Sequence, residues 1–171
     1  AEDRLHAVDL DAAHLLGDVV AAVAHLVGEG VETDALAVYR TFNLDLAGQV
    51  AIPKTYDADH VRAIHRHLFQ DVYAWAGEFR SVNISKGAGR GFGDVKTGEV
   101  DQLLDDVRKR VAGTDWGRLD RDTFAERAAT VFAYLNQAHP FREGNGRTQR
   151  IFWEIIAREA GWHFDWGLID K

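Results

Sequence analysis

Apolar positions recur at helical spacing along most of the chain. Leu10, Leu15, Val19, Val20, Val23 and Val27 fall near one stripe and predict a helix over 9–28, closed by Gly28 and Gly30. A second helical stretch is predicted around 34–47. The segment "QVAIPKTY" (49–56) interrupts the pattern, because Pro53 stops regular structure and Thr55 or Asp57 can cap the next helix. That helix, over 58–73, has Val61, Ile64, Leu68 and Val72 as its inward stripe. Gly77 breaks it, and "FRSVNIS" then alternates as a strand does. "KGAGRGFGD" (86–94) holds four glycines and reads as a mobile turn, so a short hairpin is predicted with strands near 79–85 and 91–95. Val100, Leu103, Leu104, Val107 and Val111 predict a helix over 98–112. Asp120 or Asp122 caps another over 123–138, with Phe124, Ala128, Val131, Phe132 and Leu135 inward. Ile151, Phe152, Ile155 and Ile156 define a last helix ending at Gly161, and the tail "WHFDWGLIDK" reads as the start of one more. The expected fold class is all-α, with one small hairpin and no internal repeat or linker.

Composition narrows the functional classes. The chain has 171 residues, 46% apolar and 27% charged, which suits one soluble domain with a substantial core. It contains no cysteine, so disulfides and thiolate metal sites are excluded. A net charge of −7 argues against general binding of nucleic acid, which needs a basic surface. The most apolar run, 19–27, is too short to cross a bilayer, and the first residues lack a basic export signal. These features predict no nucleic-acid partner, no membrane span and a cytoplasmic location, with secretion through a removed segment left open. The chain has no methionine even at position 1, and so reads as trimmed or processed.

One dozen residues carry the chemistry: "HPFREGNGRTQR" (139–150). Gly144, Asn145 and Gly146 let the backbone turn with its N–H groups pointing into one concavity, just before a strong helical stripe. A helix N-terminus adds unpaired N–H groups and partial positive charge, so the turn suits phosphate. Arg147 and Arg150 lie three apart on one helix face and can grip a polyphosphate. Glu143 can hold a magnesium ion against those phosphates. His139 ends the preceding helix, where a neutral imidazole can take a proton from a hydroxyl. Any one of these residues has an ordinary structural explanation. The combination does not, since glycines weaken both flanking helices and paired arginines need a counter-charge.

The dozen residues also match, position by position, the signature His-x-Phe-x-Asp/Glu-Gly-Asn-Gly-Arg-x-x-Arg, so the chain resembles the Fic-domain (Fido) family. "LFQDVYAWAGEFRSVNISKG" (68–87) resembles the family's segment leading into its flap hairpin, and the resemblance covers roughly 55–165. It implies a single Fic-type helical bundle over 1–171, with 1–54 as a helical extension packed on the core. It further implies a protein adenylyltransferase that moves AMP from ATP to a Ser, Thr or Tyr hydroxyl of a target protein. Carried over by position, His139 is the base and Phe141 packs into the core. Glu143 holds Mg2+, Gly144, Asn145 and Gly146 cradle the phosphates, and Arg147 and Arg150 contact the outer phosphates. The flap (79–95) would align the target's backbone as an added strand, and Lys86 and Gly87 are further candidates for nucleotide contact. A related branch transfers phosphate and carries a lysine in place of the second glycine, so Gly146 favours AMP transfer. A non-catalytic nucleotide-binding module is the other alternative, disfavoured because phosphate binding alone does not require His139.

Regulation and partners are less marked. The family's inhibitory pattern, Ser/Thr-x-x-x-Glu-Gly/Asn, has no full match: "HLVGEG" (25–30) offers Glu29 and Gly30, but His25 stands where a hydroxyl residue belongs. The expectation is therefore inhibition by a separate antitoxin-like protein or by a missing segment. His60, His65 and His67 lack the i, i+4 spacing of a helical metal pair and are expected to hold none.

Overall fold

The computed structural model describes residues 52–86 and 91–164 in full and the backbone of 23–25. Among the described residues four helices make the bundle: α1 (Ala58–Phe69), α2 (Glu99–Ala112), α3 (Arg121–Ala138) and α4 (Asn145–Glu159). A single 3-10 turn, Trp116–Arg118, links α2 to α3. Two three-residue strands, β1 (Val23–His25) and β2 (Trp162–Phe164), pair antiparallel, with Val23 opposite Phe164 and His25 opposite Trp162.

Local chemistry sets most helix ends. The Asp57 carboxylate accepts from the His60 N–H at 3.0 Å and starts α1, braced by the Thr55 hydroxyl at 2.6 Å. Asp120 starts α3 the same way, accepting from the Thr123 N–H at 3.0 Å. α2 begins after Gly98, whose φ of 74° only glycine adopts cheaply.

The core sits around α4. Ile151, Phe152, Trp153, Ile155, Ile156 and Ala157 are all buried, so this helix is enclosed on nearly every side rather than amphipathic. α3 packs along α2 and against α4, and α1 covers α4 from the other side. Phe124 and Leu135 of α3, Ile64 of α1 and Leu104 of α2 close the interior, each at most 2% exposed. Glu154 is also buried; Arg158 at 2.9 Å and the Phe164 N–H at 3.3 Å share its carboxylate, and burial raises its pKa.

The all-α bundle agrees with the sequence pattern, with four differences. α1 stops at Phe69 rather than 73, so Val72 is 68% exposed instead of buried. Residues 23–25 form a strand where the apolar spacing predicts helix, and 162–164 a strand where it predicts the start of one. A short apolar run does not distinguish the two states, and here pairing between distant segments decides. Among the described residues the hairpin keeps a single antiparallel bridge, between Ser85 and Gly91. Its strand-like carbonyls at Val82 and Gly93 are occupied instead by the Arg80 guanidinium. The rest of the predicted helices at 9–28 and 34–47, the flap tip at 87–90 and the tail beyond 164 lie outside the described residues.

Candidate active site

The loop between α3 and α4 is built by its own residues. The Asn145 amide closes it: Oδ1 accepts from the Phe141 N–H at 2.9 Å and Nδ2 donates to the Phe141 carbonyl at 2.7 Å. Gly144 precedes α4 with φ 79°, and a Cβ there would lie 2.5 Å from the Phe69 ring. Only glycine satisfies both conditions. The first helical bond of α4 runs from the Thr148 N–H to the Gly144 carbonyl, and the Thr148 hydroxyl donates to the same oxygen at 2.9 Å. The N–H groups of Asn145, Gly146 and Arg147 therefore precede the ladder and form the helix's positive end.

The residues divide cleanly by exposure. Phe141, Gly144, Asn145, Thr148 and Gln149 are buried and hold the loop. Glu143, Gly146, Arg147 and Arg150 are exposed and form its rim. The Arg147 guanidinium lies over the Phe69 ring at 4.6 Å, which holds the charge beside the helix start. Glu143 Oε1 accepts from the Gly144 N–H at 3.0 Å. Among the described residues no group of three His, Asp or Glu side chains is placed to hold a metal. Glu143 fits the other kind of magnesium site, in which one carboxylate shares the ion with substrate phosphates and water.

His139 caps the C-terminus of α3 in a left-handed conformation, φ 40°, with its N–H bonded to the Leu135 carbonyl at 3.2 Å. The Phe92 ring stacks on the imidazole at 3.7 Å and 10°. Its Nδ1 is buried without a hydrogen bond. Burial pushes the pKa of His139 down to about 4; the charges of Arg80 and Lys86 act the same way, while the Asn136 carbonyl, from outside hydrogen-bonding geometry, and Glu143 oppose them. The imidazole is thus neutral near pH 7 and available to accept a proton. The structure brings His139, Glu143, Gly144, Asn145, Gly146, Arg147 and Arg150 to one turn between two helix ends. Lys86 is exposed at the flap bridge, and Gly87 lies outside the described residues.

Two supports escape the motif. His65 of α1 is fully buried and stacks on Phe141 at 3.8 Å. Its Nδ1 accepts from the Gly77 N–H at 2.9 Å, so Nε2 carries the proton and donates to the Glu143 carbonyl at 3.0 Å. Burial lowers its pKa and keeps that tautomer neutral. The signal was present: Val61, Ile64, His65, Leu68 and Phe69 follow i, i+3, i+4, i+7, i+8, which places His65 on the buried face. The other support is Arg80, buried at 3% exposure beneath the flap, and nothing in its spacing marks it.

The sequence matches the Fic/DOC family over residues 55–157, more than half of the chain. The chain belongs to the Fic/DOC family. It is 40% identical over 144 residues to protein adenylyltransferase VbhT of Bartonella schoenbuchensis, an alignment covering 84% of this chain and 29% of that protein. It is 35% identical over 138 residues to the probable protein adenylyltransferase y4lH of Sinorhizobium fredii, covering 78% of this chain and 70% of that one. This Fic domain therefore spans less than a third of VbhT. Among solved structures, BepC of Bartonella tribocorum with bound AMPPNP superposes with a TM-score of 0.66 at 27% identity, over 81% of this chain and 71% of that one. An N-terminal Fic domain of a Bartonella quintana effector with bound ADP gives 0.65 at 29% identity, over 84% and 75%. Among the described residues no helix is long and apolar enough to cross a membrane.

Proposed function

We propose that this chain is a protein adenylyltransferase domain that transfers AMP from ATP to a hydroxyl side chain of another protein. The observation that carries the reading is a histidine held neutral at one helix end, five residues before a glycine turn that opens the next helix. Relatives named as adenylyltransferases and neighbours solved with adenine nucleotides support it.

In this reading the triphosphate lies against the N–H groups of Asn145, Gly146 and Arg147, with Arg147 and Arg150 along the outer phosphates. Glu143 would hold a magnesium ion, which neutralises phosphate charge when bound. The target's hydroxyl oxygen attacks the α-phosphorus, and its proton passes to the neutral His139. The bond from the α-phosphorus to the bridging oxygen of the β-phosphate breaks, and pyrophosphate leaves. The exposed edge of 82–86 would dock the target's backbone, with Lys86 and Gly87 near the nucleotide. A supply of ATP places the reaction in a cell interior, and a separate inhibitory protein would supply the restraint. His139→Ala should lower labelling of lysate proteins by α-labelled ATP by about 100-fold or more while circular dichroism is unchanged. Undiminished labelling by that variant would remove His139 from the chemistry.

A further inference from the structure

Arg80 takes no part in the transfer chemistry, yet it is a charged side chain at 3% exposure. Among the described residues no carboxylate is hydrogen-bonded to it. Its Nε–H donates to the His139 carbonyl at 2.8 Å, Nη1 to the Val82 carbonyl at 2.8 Å, and Nη2 to the carbonyls of Gly93 and, at 3.2 Å, Ala138. Its own N–H donates to the Pro140 carbonyl at 2.8 Å. These acceptors belong to three separate places: the C-terminal end of α3 with the base, the arm of the flap entering at 82, and the arm leaving at 93. A cation is favourable against the carbonyls that end a helix. A guanidinium alone offers a planar fork wide enough to serve several acceptors at once, whereas lysine is a compact point charge.

Besides Arg80, the Asn83 side chain joins the arms, its Oδ1 accepting from the Val95 N–H at 2.8 Å, but it reaches neither α3 nor His139. The described flap has one bridge, Ser85 to Gly91, with the Phe92 N–H reaching the Ile84 carbonyl at 3.3 Å. The second arm is tied to α3 by the Gly93 N–H on the Gln137 carbonyl at 2.8 Å. Phe92, on that same arm, is the ring that stacks on His139. A shift of the flap would therefore move the cover of the imidazole together with the edge that presents a target.

We infer that Arg80 is a positioning residue: it clamps both arms of the flap to the helix end that carries His139, so that the docking edge and the base keep one geometry. The catalytic half of this inference rests on the transferase reading. A residue that merely stabilised the fold would affect nucleotide binding and turnover alike. A clamp between base and docking edge affects the transfer rate and spares the nucleotide site, which is built separately by Asn145, Gly144 and Thr148.

The test is Arg80→Lys, which keeps the charge and loses the fork. AMPPNP binding by calorimetry should stay within about threefold of wild type, while the rate of lysate labelling at saturating ATP falls about 30-fold or more, as expected for a misplacement on the ångström scale. An unchanged rate, or equal losses in binding and rate, overturns the inference. If the wild-type chain itself labels nothing, the transferase reading fails and the clamp is judged by amide hydrogen exchange alone. In the wild type the amides of Arg80, Gly93 and His139 should open as one unit, and in Arg80→Lys those of Phe92 and Gly93 should exchange about tenfold faster with α4 unchanged. Separate protection classes in the wild type, or unaltered flap exchange in the variant, overturn it.

Discussion

The α3–α4 turn and the flap meet at His139, but they are held in opposite ways. In the turn most partners are neighbours in sequence: Asn145 grips Phe141, and Thr148 grips Gly144, with His65 of α1 added from a distance. In the flap they are distant, with Arg80 bonded to Ala138 and His139, and Gln137 to Gly91. A turn closed over four residues gives up little chain entropy, and its geometry travels with the motif. The flap is tied across longer separations, by the Asn83 side chain on the Val95 N–H, by one buried cation and by the helix end beneath it.

The largest break in this contrast should come from Gly144→Ala. The new Cβ meets the Phe69 ring at 2.5 Å on a backbone with φ 79°, so a loss of about 2–4 kcal/mol is expected in urea unfolding, together with loss of AMPPNP binding. Asn145→Ala should follow, since it strands the buried N–H and carbonyl of Phe141, at about 2–3 kcal/mol by the same measurement. If Asn145→Ala keeps full stability, the turn is not self-built.

Acid probes the residue that both regions share. His60 and His139 have pKa values lowered from 6.5 to about 4, chiefly by burial. Between those values the unfolded chain takes up protons that the folded chain refuses, so this contribution is fully present above pH 6.5 and is lost as pH falls toward 4. Each group should steepen acid destabilisation by up to about 1.4 kcal/mol per pH unit across that window, read from urea midpoints. Phe92→Ala should admit water to the His139 ring and move its NMR titration upward, leaving His60 where it is. No movement would mean that the flap does not cover the imidazole. The smallest effect belongs to Gln137→Ala, which deletes the exposed side-chain bond to the Gly91 carbonyl at 3.2 Å. It should cost about 0.5–1 kcal/mol or less, with faster exchange at Phe92 and no change at Asn145.

Legibility followed the same division. The stripes of α2 and α3, the Asp120 cap and the turn between Ala138 and Asn145 were open to inspection because each depends on residues within a few positions of one another. The end of α1 was misplaced because Val72 keeps the spacing of the stripe although the chain has already turned away at Gln70. His65 lay on a readable face, but its role as a tie from Gly77 to Glu143 needed three distant segments in place.

By itself the amino-acid sequence determined a helical bundle, a glycine turn that opens a buried helix, and a histidine, a carboxylate and two arginines at that turn. Spacing along a helix and the steric freedom of glycine are local properties, so they survive without a partner. Tertiary structure alone decided that residues 23–25 pair with 162–164, that the described part of the hairpin keeps one bridge, and that Arg80 turns inward. A buried guanidinium is stable only where folded carbonyls surround it, and those carbonyls converge only once the chain has closed.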